Sequence, residues 1–227
     1  MKRFPRRRLQ QFIARLAARP NRRDSFNPYR EPPLARNLEH YLETLWRHPH
    51  YHGLLLVGEA LGYKGGRNTG VPFSSSKLYT EVEHPFLQNL AGKLRFPQHN
   101  GPQDSEATAK LVWRYLQTKQ QLPLFWNAFP FHPHITGKPS SNRKPRALEL
   151  EEGAALLCEL VAISQPQRIA GIGREGHKVA AKLFPEQEVT YIRHPSYGGK
   201  ADFISGMNQL LDCPVAFSIT LYRRQIA

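Results

Sequence analysis

The chain has 227 residues, enough for one domain with a full hydrophobic core. Its net charge of +14 and isoelectric point near 10.1 point to a polyanionic partner, nucleic acid ahead of an anionic membrane surface. No apolar run reaches the roughly 20 residues that span a bilayer. Cys158 and Cys213 lack a C-x-x-C partner, which argues against a disulfide framework or a thiolate-held cluster and suits a reducing compartment.

Residues 1–23 carry nine Lys or Arg and no acid. Arg6, Arg7, Arg8, Arg15, Arg19, Arg22 and Arg23 surround the apolar Phe12, Ile13, Leu16 and Ala17, so the segment reads as a phosphate-contacting arm with a helix over 8–18. An organellar transit peptide and a solvated basic tail fit the same composition. Residues 1–30 are therefore set apart as a basic N-terminal arm or helix, 31–213 as the main domain and 214–227 as a tail.

Leu34, Leu38, Tyr41, Leu42 and Leu45 recur at helical spacing and predict a helix over 34–46. A buried strand follows at 53–57, ended by glycine. Residues 58–103 are rich in Gly, Pro, Ser and Asn and read as a long functional loop with one short helix near 84–91. Asp104 or Ser105 caps a helix at 107–116, and 122–127 is a second strand. Then come a helix at 147–163, a strand at 168–172, a helix at 175–183, a strand at 189–192 and a helix at 201–211. Residues 215–222 alternate weakly, as an edge strand or a partly disordered tail would. Strands alternating with helices predict a parallel sheet covered on both faces.

Chemistry gathers where these strands stop, the place where open α/β sheets bind ligands. After Val57 the chain runs GEALGYKGGRNTGVPF, whose five glycines permit close backbone approach to a ligand. Glu59 is placed to orient or deprotonate a water, and Phe73, after Pro72, offers a stacking platform for a flat ligand. Asn127 ends the second strand in WNAF, and its carboxamide matches the adjacent carbonyl and N–H of a pyrimidine edge. In RHPSYGGK, His194 can donate to an oxygen gaining negative charge. Arg193, Ser196, Lys200 and the backbone of Gly198 and Gly199 can hold phosphates, with Tyr197 as a wedge between stacked bases. Taken singly, an irregular loop, a turn-capping Asn and a plain Pro-Gly turn explain the three segments equally well. His132 with His134, and His48 with His50 and His52, lack further ligands at a recognisable metal spacing, so no metal is expected.

Together, GEALG at 58–62, GVPF at 70–73, WNAF at 126–129 and RHPS at 193–196 resemble, in order and position, the uracil-DNA glycosylase superfamily. The resemblance covers roughly residues 54–206 and implies a three-layer α/β/α sandwich with a central four-stranded parallel sheet. It further implies an enzyme of DNA base-excision repair that hydrolyses the N-glycosidic bond of a flipped base, foremost uracil, leaving an abasic site. On this resemblance 31–213 is the catalytic domain, Phe73 stacks on the base, and Asn127 reads its edge. His194 stabilises the leaving anion through O2, while Glu59 and the backbone around Ala60 line the water side. Arg193, Ser196, Tyr197, Gly198, Gly199 and Lys200 contact the DNA. No cofactor is required, and the expected partner is DNA, bound by a monomer in the bacterial cytoplasm unless the basic N-terminus directs the chain to an organelle.

The departures from the family pattern matter. The best-known members carry an Asp where Ala60 stands, which leaves Glu59 as the candidate for the water. The iron-sulfur members, closest to GEALG, have Pro at the position of Leu61 and need four cysteines, whereas this chain has two. Members that trap DNA covalently use a His in the stretch that here reads YKGGRNTG. Two other functions fit the same residues: a catalytically weak DNA-damage-binding protein, and an enzyme acting on free nucleosides or nucleotides.

Overall fold

A computed structural model describes residues 4–97 and 105–212. Asp104, Cys213 and the 215–222 segment lie outside the described residues. The elements in chain order are α1 (Arg6–Ala18), β1 (Ser25–Phe26), a 3-10 turn (Pro28–Arg30), α2 (Pro32–Trp46), β2 (Leu54–Ala60), α3 (Gly66–Thr69), α4 (Leu78–Glu81) and α5 (Pro85–Ala91). They continue with α6 (Ala107–Leu116), β3 (Leu124–Phe129), β4 (His132–Pro133), α7 (Ala147–Ser164), β5 (Arg168–Ile172), α8 (Gly173–Leu183), β6 (Val189–Ile192) and α9 (Lys200–Asp212).

Four parallel strands in the order β3-β2-β5-β6 form the central sheet, flanked by helices in a three-layer α/β/α sandwich. The apolar runs that predict these strands lie at the centre of the fold, where strands covered on both faces must be apolar throughout. All six residues of β3 are buried. At this edge of the sheet the backbone N–H of Phe125 donates to the Tyr41 hydroxyl at 2.8 Å, so a side chain of α2 satisfies a group that no further strand pairs.

Two strand ends differ from expectation. β2 runs through Ala60 and β3 through Phe129, so Glu59 and Asn127 lie within strands rather than at or past their ends. The cause is unequal pairing. β2 stops pairing with β5 at Val57 opposite Gly171, yet goes on pairing with β3 through Gly58 opposite Asn127 and Ala60 opposite Phe129.

Of the predicted 58–103 loop, the described part, 58–97, is more ordered than its composition suggests. It contains α3, α4 and α5, and it buries Leu61, Val71, Leu78, Tyr79, Val82, Phe86, Leu87, Leu90 and Leu94 in the main core.

The basic N-terminal segment joins that core as well. α1 buries Leu9, Phe12, Ile13 and Leu16, and Phe12 packs on Trp126 with ring centroids 5.6 Å apart. Among the described residues, four of the seven arginines between residues 6 and 23 are ion-paired: Arg6 with Glu43, Arg15 with Glu159, and both Arg19 and Arg22 with Glu152. Arg19 also lies 4.4 Å over the Phe131 ring, where its guanidinium is held by charge and by the ring face. Residues 6–18 thus form the helix expected over 8–18, with its apolar face packed into the core. The antiparallel pair β1-β4, which periodicity does not announce, fastens Ser25 to Pro133 and Phe26 to His132. Among the described residues no helix is long and apolar enough to cross a membrane.

Candidate active-site pocket

The extended pairing of β2 with β3 sets the site. Gly58 and Asn127 are direct neighbours in the sheet, and a Cβ on Gly58 would lie 2.7 Å from Asn127 Oδ1 and 2.7 Å from Cε2 and Cζ of Phe73. Only glycine lets an aromatic ring and a carboxamide close over the same backbone.

Phe73 holds a left-handed φ of 52°, uncommon for a bulky residue and retained only when the surroundings enforce it. Three contacts do so. Trp113 Nε1 donates to the Phe73 carbonyl at 3.0 Å, Phe125 stacks on the ring at 4.9 Å, and the Thr69 and Ser74 hydroxyls, 2.6 Å apart, knot the 69–74 turn. The side chain of Asn127 is 3% exposed and has no hydrogen-bond partner among the described residues. Its two N–H donors and its oxygen are therefore available to a ligand.

His194 follows β6 by two residues, as the sequence predicts. The backbone N–H of Ser196 donates to His194 Nδ1 at 3.3 Å, and Ser196 Oγ lies 2.7 Å from the same nitrogen. A nitrogen that accepts from a backbone N–H carries no proton, so the proton of the neutral ring sits on Nε2. Burial, and secondarily the Arg193 charge, pushes the imidazole below its ordinary value. His194 is thus a neutral donor near physiological pH.

These groups share one cavity of about 70 Å³, lined by Glu59, Ala60, Leu61, Gly62, Gly66, Phe73, Glu106, Thr108, Asn127 and His194. That is several times the roughly 10 to 15 Å³ one water needs on the same measure. The structure brings together Glu59 and Ala60 of β2, Asn127 of β3, His194 after β6 and Phe73 from a loop. Arg193, Ser196, Tyr197, Gly198, Gly199 and Lys200 form a loop beside it rather than its wall. Tyr197 is 97% exposed at φ 50°, and the 13-residue helix α9 begins at Lys200. The unpaired N–H groups of a helix's first turn suit a phosphate.

Glu59 stands at the exposed side of the cavity. Partial burial raises its carboxyl, Glu175 adds to the rise, and Lys144, itself 2.6 Å from Glu175, opposes it. His132 is fully buried with its two ring nitrogens against the carbonyls of Leu61 and Pro139, at 2.9 and 3.2 Å. Burial drives it down to about 4, so it is neutral and serves to anchor the turn at Leu61. Asn142 Oδ1 fastens the same turn by accepting from the Tyr63 N–H at 3.0 Å. No group of three or more His, Cys, Asp or Glu that could hold a metal occurs among the described residues.

Sequence reasoning missed Glu106, Thr108 and Trp113, all delivered by α6. Helix 107–116 is legible, but an acid at a helix start is an ordinary feature of solvent-exposed helices. Here Glu106 occupies the N-cap position and its carboxylate turns inward. A Cβ on Gly65 would collide with Glu106 Oε2, and one on Gly62 would lie 3.4 Å from Oε1. Burial alone pushes this carboxyl up to about 7. Among the described residues it has neither an ion-pair nor a side-chain hydrogen-bond partner.

Comparison with protein-family models and with curated proteins returns no match.

Proposed function

We propose that this chain is a DNA base-excision glycosylase that takes a flipped base, foremost uracil, into the cavity and hydrolyses its N-glycosidic bond. The observation carrying this reading is the convergence of Phe73, Asn127 and His194 on one cavity. Each supplies what such a base needs. Phe73 gives a face to stack on, Asn127 a donor and an acceptor in one plane, and His194 a proton on Nε2 aimed at an oxygen that becomes anionic as the bond breaks.

A neutral imidazole suits this role because it strengthens its hydrogen bond as charge develops and need not be charged beforehand. Extruding a base costs a few kcal/mol, least from single strands and mismatches. On this reading Tyr197, which is exposed, fills the vacated stack, while Arg193, Lys200 and the start of α9 hold the flanking phosphates. The chemistry requires no cofactor.

The test uses single- and double-stranded oligonucleotides containing uracil, hypoxanthine or mismatched thymine, with alkaline cleavage of abasic sites. Excision of uracil is expected. Asn127→Ala and His194→Ala should each slow it by about 100- to 1,000-fold, the usual cost of losing one preorganised donor. Absence of abasic product from every substrate would sink the enzyme reading, and tight DNA binding retained in that case would mark a damage-binding protein.

A further inference from the structure

We propose that Glu106, reaching into the pocket from the start of α6, is the general base that takes the proton from the attacking water. The proposal rests on the glycosylase reading above and assigns the step that Ala60, with only a methyl group, cannot perform.

Counting donors and acceptors leads to it. Uracil presents two carbonyl acceptors and one N–H on its free edge. The Asn127 carboxamide satisfies one carbonyl and the N–H, and His194 Nε2–H satisfies the other carbonyl. Uracil then has no donor left for the carboxylates that remain on the wall, Glu106 and, at the rim, Glu59, and the Thr108 hydroxyl beside them pairs with neither. A desolvated carboxylate without a donor is costly. Water supplies one, and it is the second reactant of a hydrolysis.

The placement is equally specific. Glu106 lies against the bare backbone of Gly62 and Gly65, beside Ala60 and Leu61 in the cavity wall. Its helix is held to the stacking platform by the Trp113 hydrogen bond to Phe73, so the carboxylate and the base platform are positioned by one rigid element. Glu59, in contrast, faces the exposed rim near the Lys144–Glu175 pair. Burial has also brought the Glu106 carboxyl up to about 7, where a group both accepts and releases a proton readily.

In the step, the water oxygen bonds to C1′ as the C1′–N bond breaks, and that bond's electron pair leaves with the base. One water proton passes to the Glu106 carboxylate and the other remains on the new C1′ hydroxyl. The base departs as an anion held by His194. It is neutralised when the Glu106 proton passes to it, directly or by way of solvent, which also restores the carboxylate, so that atoms and charge balance to hydrolysis.

The experiment is single-turnover excision from a uracil-containing single strand across about pH 5 to pH 9. Wild type should gain close to tenfold per pH unit below about 7 and level off above it, because only the ionised carboxylate accepts the proton. Glu106→Gln should lose about 100-fold or more at the plateau and lose the rising limb, while binding uracil-DNA with unchanged affinity and unfolding cooperatively. Glu106→Asp should restore part of the rate together with a limb. Glu59→Gln should keep the limb whatever its rate. The proposal is overturned if Glu106→Gln retains the wild-type rate and limb, or if it changes only the preference between uracil and 5-hydroxymethyluracil, which would make Glu106 a reader of the base. Wild-type protein that excises nothing fails the parent reading, and this proposal with it. Excision that survives Glu106→Gln fails this proposal alone.

Discussion

Two carboxylates at helix starts, Glu149 in the first turn of α7 and Glu106 at the head of α6, meet opposite treatment. Glu149 is 3% exposed, and burial by itself would raise its carboxyl. Yet Arg143 grips both its oxygens at 2.7 Å, the Arg146 N–H donates at 2.8 Å, and their charges join in, so the net effect lies below the ordinary value. Asp24 pairs with the same two arginines, tying the segment after α1 to the start of α7. Glu106 has no such partner among the described residues, and its carboxyl rises to about 7. Burial is common to both; compensation is not. A carboxylate that is fully compensated is committed to holding the fold together. One left uncompensated inside a cavity remains free to exchange a proton, and such perturbed groups concentrate where chemistry is done.

The contrast is open to direct attack. The largest effect should come from Arg143→Ala, which strands Glu149 and Asp24 and should cost about 3 to 5 kcal/mol in urea unfolding. A loss under about 1 kcal/mol would show that the network is not a clamp. Because the folded Glu149 carboxyl titrates below its unfolded value, its stabilisation is present above the ordinary carboxylate range and fades as pH falls through the folded value.

Glu106 carries the opposite sign. Its folded value lies above the unfolded one, so its burial is tolerated below about 4.5 and becomes destabilising as pH rises toward about 7. Glu106→Gln should therefore stabilise the protein by on the order of 3 kcal/mol near pH 8, shrinking to well under 1 kcal/mol near pH 4, as read from thermal unfolding at both values. Equal effects at the two pH values would remove the distinction between the carboxylates. The smallest effect is expected from Gly65→Ala, whose methyl would displace Glu106 Oε2 and crowd the Ser74 carbonyl. It should cost about 2 kcal/mol and move the acid limb of the excision rate to lower pH as the carboxylate is pushed toward water. A limb that stays in place would mean that burial against Gly65 does not set the carboxyl's proton affinity.

The site is partly legible in the chain. Asn127 and His194 are marked by their places near strand ends, and Phe73 by the Gly and Pro that precede it in its loop. The helix at 34–46 is plain because Leu34, Leu38, Tyr41, Leu42 and Leu45 repeat with its period, and all five are buried. Residues 58–103 mislead. The helices there are too short to establish a period, so the burial of Leu61, Val71 and Tyr79 shows only in three dimensions. In the basic N-terminus the helix is legible, but its ion-pair partners are not. Arg6, Arg15 and Arg19 meet their carboxylates at Glu43, Glu159 and Glu152, far along the chain, and a composition of local charge cannot register them.

By itself the sequence determined the alternation of strands and helices and the strand-end segments that line the cavity. Both follow from local rules, the period of apolar residues and the turn chemistry of Gly and Pro. Tertiary structure alone decided that β2 and β3 pair far enough to set Gly58 beside Asn127. It alone placed Trp113 behind Phe73, gave Glu149 its arginine and left Glu106 without one among the described residues. The proton affinity of a carboxylate depends on what surrounds it within a few ångströms, and those neighbours come from distant parts of the chain.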